Sequence, residues 1–415
     1  MENGCASDLP EGWREERLLN VAELRTSSVD KKSEDGEKAV KLCNYVDVYY
    51  HDKITAGLSF MEATASDSQI ERFAVRAGDV VITKDSESPD DIGIPALVAE
   101  TIPDLVCGYH LTILRPIDDQ IIGGYLFYAL ASRWSAHQFY LAANGVTRFG
   151  LTYQGTKNIR IASPSVSVQR QIAAFLDWKT GQIDALIAKK QALIEKLKEK
   201  RLAVITQAVT KGLDASVPLR DSNIPRFGLI PAHWDVLRIG RMITLQRGVD
   251  ITKDEQSEGN VPVISSGGTA SYHDVALVKG PGVIVGRKGT AGAIYYVESD
   301  YWPHDTTLYV REYWGNHPRY VYFKLLSMDL ASYDTGTANP TVNRNRVHPE
   351  LVPWPPFEEQ EAIATYLDRM TKSIDGLVDK VVEAVIGLTE YRTALITAAT
   401  TGKIDVRQIE VPAQA

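Results

Sequence analysis

The sequence predicts an α+β protein with an internal pseudo-two-fold repeat. It has two globular domains with mixed or antiparallel sheets, each followed by a long helix. Three observations predict this fold, namely a gapless internal repeat, two proline-free segments with heptad spacing, and two strand-rich blocks. Residues 169–214 and 360–405 align at one constant offset, and about 19 of the 46 aligned pairs are identical, far more than chance would give. The two long helices are expected to pair as an antiparallel coiled coil.

The domain boundaries follow from the repeat. A Pro-x-x-Trp signal opens each half, at residues 10–13 and 231–234. A chain of 415 residues also exceeds the size at which a single core keeps growing. We expect a first globular domain at 1–165, a first long helix at 166–211, a linker at 212–229, a second globular domain at 230–357, a second long helix at 358–402, and a C-terminal tail at 403–415.

Within each block, short β-branched or aromatic runs separated by turn residues predict strands. These runs are residues 42–49 and 73–83 in the first block, and residues 261–264, 282–285 and 293–297 in the second. Residues 125–130 and 320–325 predict a matched short helix in each block.

Each long segment carries apolar residues at a spacing of seven, and neither contains a proline between residues 169 and 210 or between residues 360 and 401. The residues expected to pair the helices are Leu176, Ile183, Leu197, Val204, Leu367, Ile374, Leu388 and Leu395. A second seam that includes Leu186 and Leu193 is also expected, and Gly212 and Gly402 are expected C-caps. Pairing the helices buries these seams most directly, although each helix could instead pack on its own domain or on another subunit.

The composition is that of an ordinary water-soluble protein, with 44% hydrophobic and 24% charged residues. No apolar run approaches the roughly 18 residues of a membrane span, and the polar N-terminus has no signal-peptide pattern. Three separated cysteines give no disulfide framework. We expect a cytoplasmic protein. Its net charge of −8 argues against a nucleic-acid binder that works alone, whereas local basic stripes suit one that works with a partner.

Polar loops occupy related positions in both halves, at residues 147–149, 153–158, 287–290 and 339–344. Arg and Lys side chains pair with guanine and phosphate, and Asn pairs with adenine. The alternative for each loop is an ordinary solvated turn. The residues expected to contact DNA are Arg148, Lys157, Asn158, Arg287, Lys288, Thr290, Asn343, Arg344 and Arg346.

No catalytic or metal-binding set is predicted. Residues 280–288 resemble a phosphate-binding loop, but five residues instead of four separate the glycines and Arg287 stands where Lys is needed. Residues 354–357 resemble the Asn/Asp-Pro-Pro-aromatic motif of amino-methyltransferases but lack its amide or carboxylate. The eight histidines show no metal-ligand spacing. We therefore predict a chain without catalytic activity, metal or cofactor of its own.

Taken together, these features resemble the specificity subunit of a type I restriction–modification system. The most specific stretch is residues 169–177, and a second copy of it appears at residues 359–368. After the first copy follow Ile183-Asp184, residues 211–214, Val217-Pro218, Asp221-Ser222 and residues 230–234. Residues 286–292 and 302–305 are also typical of recognition domains in this family. The loop at residues 84–88 departs from the family's basic run, so the resemblance assigns no DNA contact to Lys84.

The resemblance implies that each target-recognition domain reads one half of a bipartite asymmetric DNA sequence, while the paired helices act as a spacer of fixed length. It also implies docking of two modification subunits, which hold S-adenosylmethionine and methylate adenine, and to which restriction subunits can add. The alternative from another class is an enzyme, a restriction or methyltransferase polypeptide with its own activity. A third interpretation is a structural coiled-coil scaffold. Co-purification with a methyltransferase would favour the first.

Overall fold

The computed structural model describes residues 9–333 and 341–412. Within them the chain forms two compact units, the first made of residues up to Lys190 together with residues from Glu383 onward, and the second of Gln191–Val382. Asn339 and Pro340, which belong to a loop predicted to face DNA, lie outside the described residues. Residues 1–8 of the expected first domain and residues 413–415 of the expected C-terminal tail also lie outside the described residues.

The first unit contains the first globular domain, which mixes strands and short helices. Its strands are β1 (Arg14–Arg17), β2 (Ala22–Thr26), β3 (Lys38–Cys43), β4 (Lys53–Ile54), β5 (Met61–Ala65), β6 (Val80–Thr83), β7 (Asp85–Ser86), β8 (Pro95–Val98), β9 (Leu105–Cys107), β10 (Leu111–Pro116), β11 (Ala143–Gly145), β12 (Phe149–Leu151) and β13 (Arg160–Ser163). Its helices are α1 (Leu18–Val21), α2 (Tyr45–Tyr49), α3 (Asp67–Phe73), α4 (Gly123–Leu130), α5 (Arg133–Ala142) and α6 (Tyr153–Lys157).

Helix α7 (Val166–Lys211) leads from this domain into the second unit. The strands there are β14 (Leu219–Asp221), β15 (Leu229–Pro231), β16 (Asp235–Arg238), β17 (Thr244–Arg247), β18 (Val261–Ser265), β19 (Gly268–His273), β20 (Gly282–Gly286), β21 (Ile294–Val297), β22 (Trp302–Pro303), β23 (Thr307–Glu312) and β24 (Leu351–Trp354). The helices are α8 (Ile239–Met242), α9 (Pro318–Leu326) and α10 (Arg344–Val347), and α11 (Phe357–Thr400) returns to the first unit.

The two domains share a common core of sheet topology, to which the first domain adds strand β4 and the three-stranded sheet β11-β12-β7. The main sheet has the order β2-β10-β6-β8-β4 in the first domain and β17-β23-β20-β21 in the second. A smaller sheet has the order β5-β3-β9 in the first and β19-β18-β22 in the second, with one antiparallel and one parallel pair in each. The strand that opens each domain pairs with the strand before its long helix, β1 with β13 and β16 with β24. The predicted mixed α+β fold with an internal repeat is confirmed.

The three strand predictions of the second block hold, as do the matched helices α4 and α9. The strand predicted over residues 73–83 is wrong in its first part, because Phe73 ends the capped helix α3 and strand β6 begins only at Val80. The strand predicted over residues 42–49 is wrong in its second half. Strand β3 ends at Cys43, and residues 45–49 form helix α2 because Asn44 and Asp47 make a capping box. The Asp47 carboxylate accepts a hydrogen bond of 2.7 Å from the Asn44 N–H. A local cap of this kind satisfies free N–H groups and overrides the strand propensity of a Tyr- and Val-rich run.

The long helices pack in opposite directions within each unit. In the first unit, residues early in α7 share a core with residues late in α11, namely Ile172, Phe175 and Leu176 with Ile396 and Ala399. In the second unit, residues late in α7 share a core with residues early in α11, namely Ile205, Ala208 and Val209 with Ile363, Ala364 and Leu367. This arrangement confirms the predicted antiparallel pairing.

Two ion pairs between the long helices involve equivalent residues of the two repeat copies. Arg392 of α11 pairs with Asp184 of α7 at 2.9 Å, and Arg201 of α7 pairs with Asp375 of α11 at 2.8 Å. Asp184 aligns with Asp375, and Arg201 with Arg392, at the constant offset of the repeat. An exchange of partners between equivalent residues is the mark of a two-fold related pair. Arg392 also contacts Asp52 of the first domain.

Each long helix is fixed to its own domain by a buried glutamine. The Gln169 side-chain oxygen accepts a hydrogen bond of 3.0 Å from the Ile122 N–H. Gln360 accepts an equivalent bond of 3.0 Å from the His317 N–H. Ile122 and His317 are the residues that precede α4 and α9. The repeated glutamine therefore joins each long helix to the matched short helix.

The ends of the long helices carry equivalent glycine caps. Gly212 and Gly402 have φ values of +75° and +72°, in the left-handed region that favours glycine at a helix C-terminus. A Cβ atom on Gly212 would approach the Trp234 ring at 3.3 Å, and one on Gly402 would meet the rings of Pro10 and Trp13. The Pro-x-x-Trp signals of the sequence thus pack on the two caps.

Carbonyl groups in the last turn of each long helix accept side-chain hydrogen bonds. Tyr125 Oη donates to the Thr400 carbonyl at 3.2 Å, and Lys324 Nζ donates to the Val209 carbonyl at 2.9 Å. Burial, with a smaller effect of Arg226, lowers the pKa of Lys324 to about 7. In the part of the chain that the structure describes, no helix has the length and apolar character needed to cross a membrane.

Candidate nucleic-acid interface

In the second domain, three segments that are distant in sequence meet around Arg287. The Arg287 N–H donates to the Thr306 carbonyl at 2.8 Å, and the Arg287 carbonyl accepts from the Val342 N–H at 3.0 Å. Lys288 forms an isolated bridge with Thr341. The loop after β20, the loop before β23 and the segment before α10 therefore lie at one end of the main sheet.

The Arg287 guanidinium is the most unusual group of this surface. Its Nε atom is buried, and no hydrogen-bond partner for it exists among the described residues. Burial, together with the nearby Arg247, lowers the pKa of Arg287. A desolvated cation that lacks a hydrogen-bonded carboxylate is costly unless an anion or another acceptor approaches it. The site therefore suits a ligand that brings acceptor oxygens or nitrogens.

An ion-pair network borders Arg287. Arg247 contacts Asp305 at 2.5 Å, and His304 lies between Asp305 at 3.2 Å and Asp250 at 3.3 Å. Burial alone would raise the pKa of Asp305, but the Arg247, His304 and Arg287 side chains outweigh it and lower that pKa. The donor atoms of Asp250, His304 and Asp305 lie close enough for a metal ion, but Asp305 is already engaged by Arg247.

The other predicted residues of the second domain differ in their roles. Lys288 and Thr290 are exposed in the loop after β20. Asn343 accepts a hydrogen bond of 2.9 Å from the Asn345 N–H and so caps α10, which gives its side-chain oxygen a structural task. Arg344 is exposed and donates to the Leu245 carbonyl at 3.3 Å. Arg346 is an exposed residue of α10.

In the first domain the predicted residues lie at two neighbouring places. Arg148 is exposed in the turn between β11 and β12, and this hairpin is joined to β7. Lys157 and Asn158 lie at the end of α6, where the Lys157 ammonium is 5.8 Å from the centre of the Tyr153 ring. The Asn158 side chain donates to the Gln154 carbonyl at 3.0 Å.

Sequence reasoning missed a set of side chains beside that hairpin. Asp85 of β7 pairs with His110 at 2.7 Å, and the Tyr109 ring lies 3.6 Å from the His110 ring, centre to centre. Lys84 precedes Asp85 and makes the backbone bonds that join the hairpin to the main sheet. The signal in the sequence was the Lys84-Asp85 dipeptide, which directly follows the buried strand β6. It resembles Arg287-Lys288, which follows β20 in the second domain, in position but not in charge.

The predicted helix-pairing residues are buried to different degrees. Leu176, Ile183, Leu367 and Ile374 are buried, whereas Leu197, Val204, Leu388 and Leu395 are partly buried. The prediction that the second seam is buried is wrong at Leu186 and Leu193, whose side chains remain 43% and 44% exposed. Both leucines project away from the cores described above, so the chain leaves this part of the seam open to solvent.

Two domains of one topology, each with cationic side chains at the same end of its main sheet and each followed by a long helix, define a two-part nucleic-acid recognition protein. The sequence profile of the type I restriction modification DNA specificity domain matches residues 10–198 and 231–381, which is more than half of the chain. The chain belongs to this family. It carries two copies of a domain whose family role is DNA recognition and not catalysis.

Two curated relatives resemble the chain, one over nearly its whole length and one over about two thirds of it. The chain is 22% identical to the MjaX specificity subunit of a type I restriction enzyme from Methanocaldococcus jannaschii, over 96% of this chain and 95% of the relative. It is 23% identical to the MjaVIII specificity subunit of the same organism, over 69% of this chain and 71% of the relative.

Solved structures share the fold. A chain from a type I R-M system, described for its complex assembly and conformational transition, has a TM-score of 0.75 at 16% identity and covers 96% of this chain and 100% of its own. The HsdS subunit from Thermoanaerobacter tengcongensis has a TM-score of 0.52 at 18% identity and covers 95% of this chain and 98% of its own.

Proposed function

We propose that this chain is the DNA-recognition subunit of a type I restriction–modification complex in which each domain reads one half of a bipartite asymmetric target. The observation that carries the proposal is the partly buried Arg287 at the meeting point of three loops. Its buried Nε atom has no hydrogen-bond partner among the described residues. Arg is the side chain that most often reads guanine in the major groove and also binds phosphate. A duplex supplies both kinds of acceptor.

The long helices suit a spacer role. Within each unit, antiparallel contacts and one Asp–Arg pair join the two helices to each other. An α-helix rises 1.5 Å per residue, so residues inserted into one helix would change the spacing in defined steps. A rigid spacer explains how two half-targets could be read at one separation.

The exposed apolar residues of the helices suit docking of partner subunits. In the first unit these residues include Leu186 and Ile386, which is 55% exposed, and in the second unit they include Leu193, Leu202 and Leu377. Contiguous exposed apolar surface marks a protein contact site, and these residues recur along the two long helices. The expected occupants are two modification subunits, which would hold S-adenosylmethionine and perform the methylation. Restriction subunits would join the same complex.

Exchange of one domain tests the proposal. Residues 231–357 would be replaced by the equivalent block of a related specificity subunit, and the complex with its methyltransferase partner would be purified. The methylated sequences would then be mapped on genomic DNA. We expect one half of the target to change and the other half to stay, because base readout is local to groove-facing side chains.

The reciprocal exchange, in the first domain, is the matched control and should change the opposite half. A change of both halves after either exchange would contradict the proposal. Methylation by the purified chain without a partner would favour the enzyme interpretation instead.

A further inference from the structure

Lys84, at the end of β6 in the first domain, occupies the structural position that Arg287 has in the second. We propose that the Lys84 ammonium contacts the target DNA as the first domain's counterpart of Arg287, a proposal that rests on the proposed function. Residues 78–82 resemble residues 280–284, and extending this alignment without a gap would align Lys84 with Gly286. The hydrogen bonds of the two loops correct that register by one residue.

The backbone of Lys84 makes the same two bonds as that of Arg287. The Lys84 N–H donates to the His110 carbonyl at 3.0 Å, and the Lys84 carbonyl accepts from the Leu151 N–H at 2.8 Å. The Arg287 N–H donates to the Thr306 carbonyl in the loop before β23, and the Arg287 carbonyl accepts from the N–H of Val342, the residue before the Asn343 cap. Leu151 likewise comes directly before Thr152, which caps α6. The two cations thus join equivalent elements.

The strand registers give the same equivalence independently. Strand β6 ends at Thr83, which pairs with Leu111, the first residue of β10. Strand β20 ends at Gly286, which pairs with Thr307, the first residue of β23. In both domains the cation is the next residue after the paired end. Its side chain therefore leaves the sheet at the same corner.

The charge environment also matches. Both side chains are partly buried, and among the described residues no carboxylate forms a hydrogen bond or an ion pair with either cation. The nearby carboxylates are engaged elsewhere, Asp85 with His110 and Asp305 with Arg247. A cation that is partly removed from water and unpaired in the free protein suits a ligand with acceptor atoms.

The two sites differ in the following residue. Lys288 adds a second cation beside Arg287, whereas Asp85 places a carboxylate beside Lys84. Two adjacent cations tolerate the loss of one more easily than a single ammonium does, because phosphate attraction scales with the number of cations. Loss of the Lys84 ammonium therefore leaves no cation in its dipeptide, whereas loss of the Arg287 guanidinium leaves the Lys288 ammonium.

The test uses the complete complex with its methyltransferase partner and a duplex that carries the mapped target. The Lys84→Ala variant should bind this duplex roughly ten-fold more weakly, while the Lys84→Arg variant should retain most of the affinity. A phosphate contact would lower the slope of log affinity against log salt by about one for all sequences, whereas a guanine contact would relax specificity at one base pair of one half-target.

The Lys38→Ala variant is the matched control, because Lys38 is an exposed lysine of the same domain whose ammonium pairs with Asp67. Equal affinity of the Lys84→Ala and Lys38→Ala complexes, with weakened binding by Arg287→Ala, would overturn this inference and leave the proposed function standing. Absence of specific binding by the wild-type complex would overturn both. The truncated side chain makes none of the backbone bonds described above, so thermal unfolding of Lys84→Ala should match that of the wild type.

Discussion

Truncation of Leu176 offers a direct test of the helix pairing. Leu176 is fully buried in the core that joins the early part of α7 to Ile396 and Ala399 of α11. Leu176→Ala removes this contact and leaves a cavity between the two helices and the first domain. If the antiparallel contact holds the first unit together, its loss should lower the stability of the whole unit and not only of one helix.

The size of the effect follows from the burial. Replacement of a fully buried leucine by alanine costs about 2–5 kcal/mol, because lost transfer free energy and a residual cavity add together. A cooperative unit of roughly 200 residues loses about 2–4 °C in Tm for each kcal/mol. A cost of about 3 kcal/mol therefore predicts a Tm that is roughly 6–12 °C lower. The transition can be followed by calorimetry and by circular dichroism of the purified chain.

Leu186→Ala is the matched control, since it makes the same substitution on the same helix at an exposed position. Its stability should change by less than about 0.5 kcal/mol, as is usual for surface sites. Under the proposed docking it should instead weaken co-purification of the methyltransferase, whereas Leu176→Ala should retain the partner below its Tm. Equal Tm shifts for the two variants, or a shift under about 2 °C for Leu176→Ala, would refute the burial argument.

Two further predictions concern charges. Arg392 is 18% exposed and contacts Asp52 and Asp184, whereas Arg201 is 29% exposed and contacts one carboxylate. Arg392→Ala should therefore cost about 1–2 kcal/mol in urea unfolding, and Arg201→Ala less than about 1 kcal/mol; equal costs would contradict this reasoning. Burial lowers the pKa of Lys324 to about 7 from 10.5, so the unfolded chain binds a proton that the folded chain has released between these values. Wild-type stability should rise by about 1.4 kcal/mol per pH unit across that window relative to Lys324→Met, and parallel pH profiles of the two proteins would count against a buried lysine.

The elements that sequence could predict are those whose signal is periodic or repeated. The heptads of α7 and α11 are regular over many turns, and the two copies support each other, so the existence of both helices followed from the sequence. Their antiparallel pairing was predicted as the most direct way to bury the seams, with packing on their own domains or on another subunit left open. The same repeat aligned Gln169 with Gln360 and Asp184 with Asp375. The structure adds the reason for these identities, because all four side chains bond across the joints between helix and helix or helix and domain.

The elements that sequence could not predict depend on contacts between distant residues. Helix α2 exists because Asn44 and Asp47 cap it, although its residues favour a strand. The equivalence of Lys84 with Arg287 depends on hydrogen bonds to residues that lie between 19 and 67 positions away in the chain. A gapless alignment of residues 78–82 with residues 280–284 misplaces this equivalence by one position. The exposure of Leu186 could not be predicted from the sequence either, because a heptad pattern does not show which of two apolar seams packs against the rest of the chain.

These successes and failures divide along a physical boundary in the molecule. Residues that repeat between the halves lie where the two long helices meet each other or their own domains, and the same geometry requires the same side chain twice. Among the described residues at the corners of the main sheets, no contact with the long helices requires the same side chain twice. Arg287-Lys288 in one domain therefore corresponds to Lys84-Asp85 in the other. Under the proposed function, one backbone position that carries two adjacent cations in one domain, and a cation beside a carboxylate in the other, would let one scaffold read different half-targets. We therefore expect, under the same proposal, the repeated residues to set where each domain meets DNA, and the residues that differ between the halves to set which bases it reads.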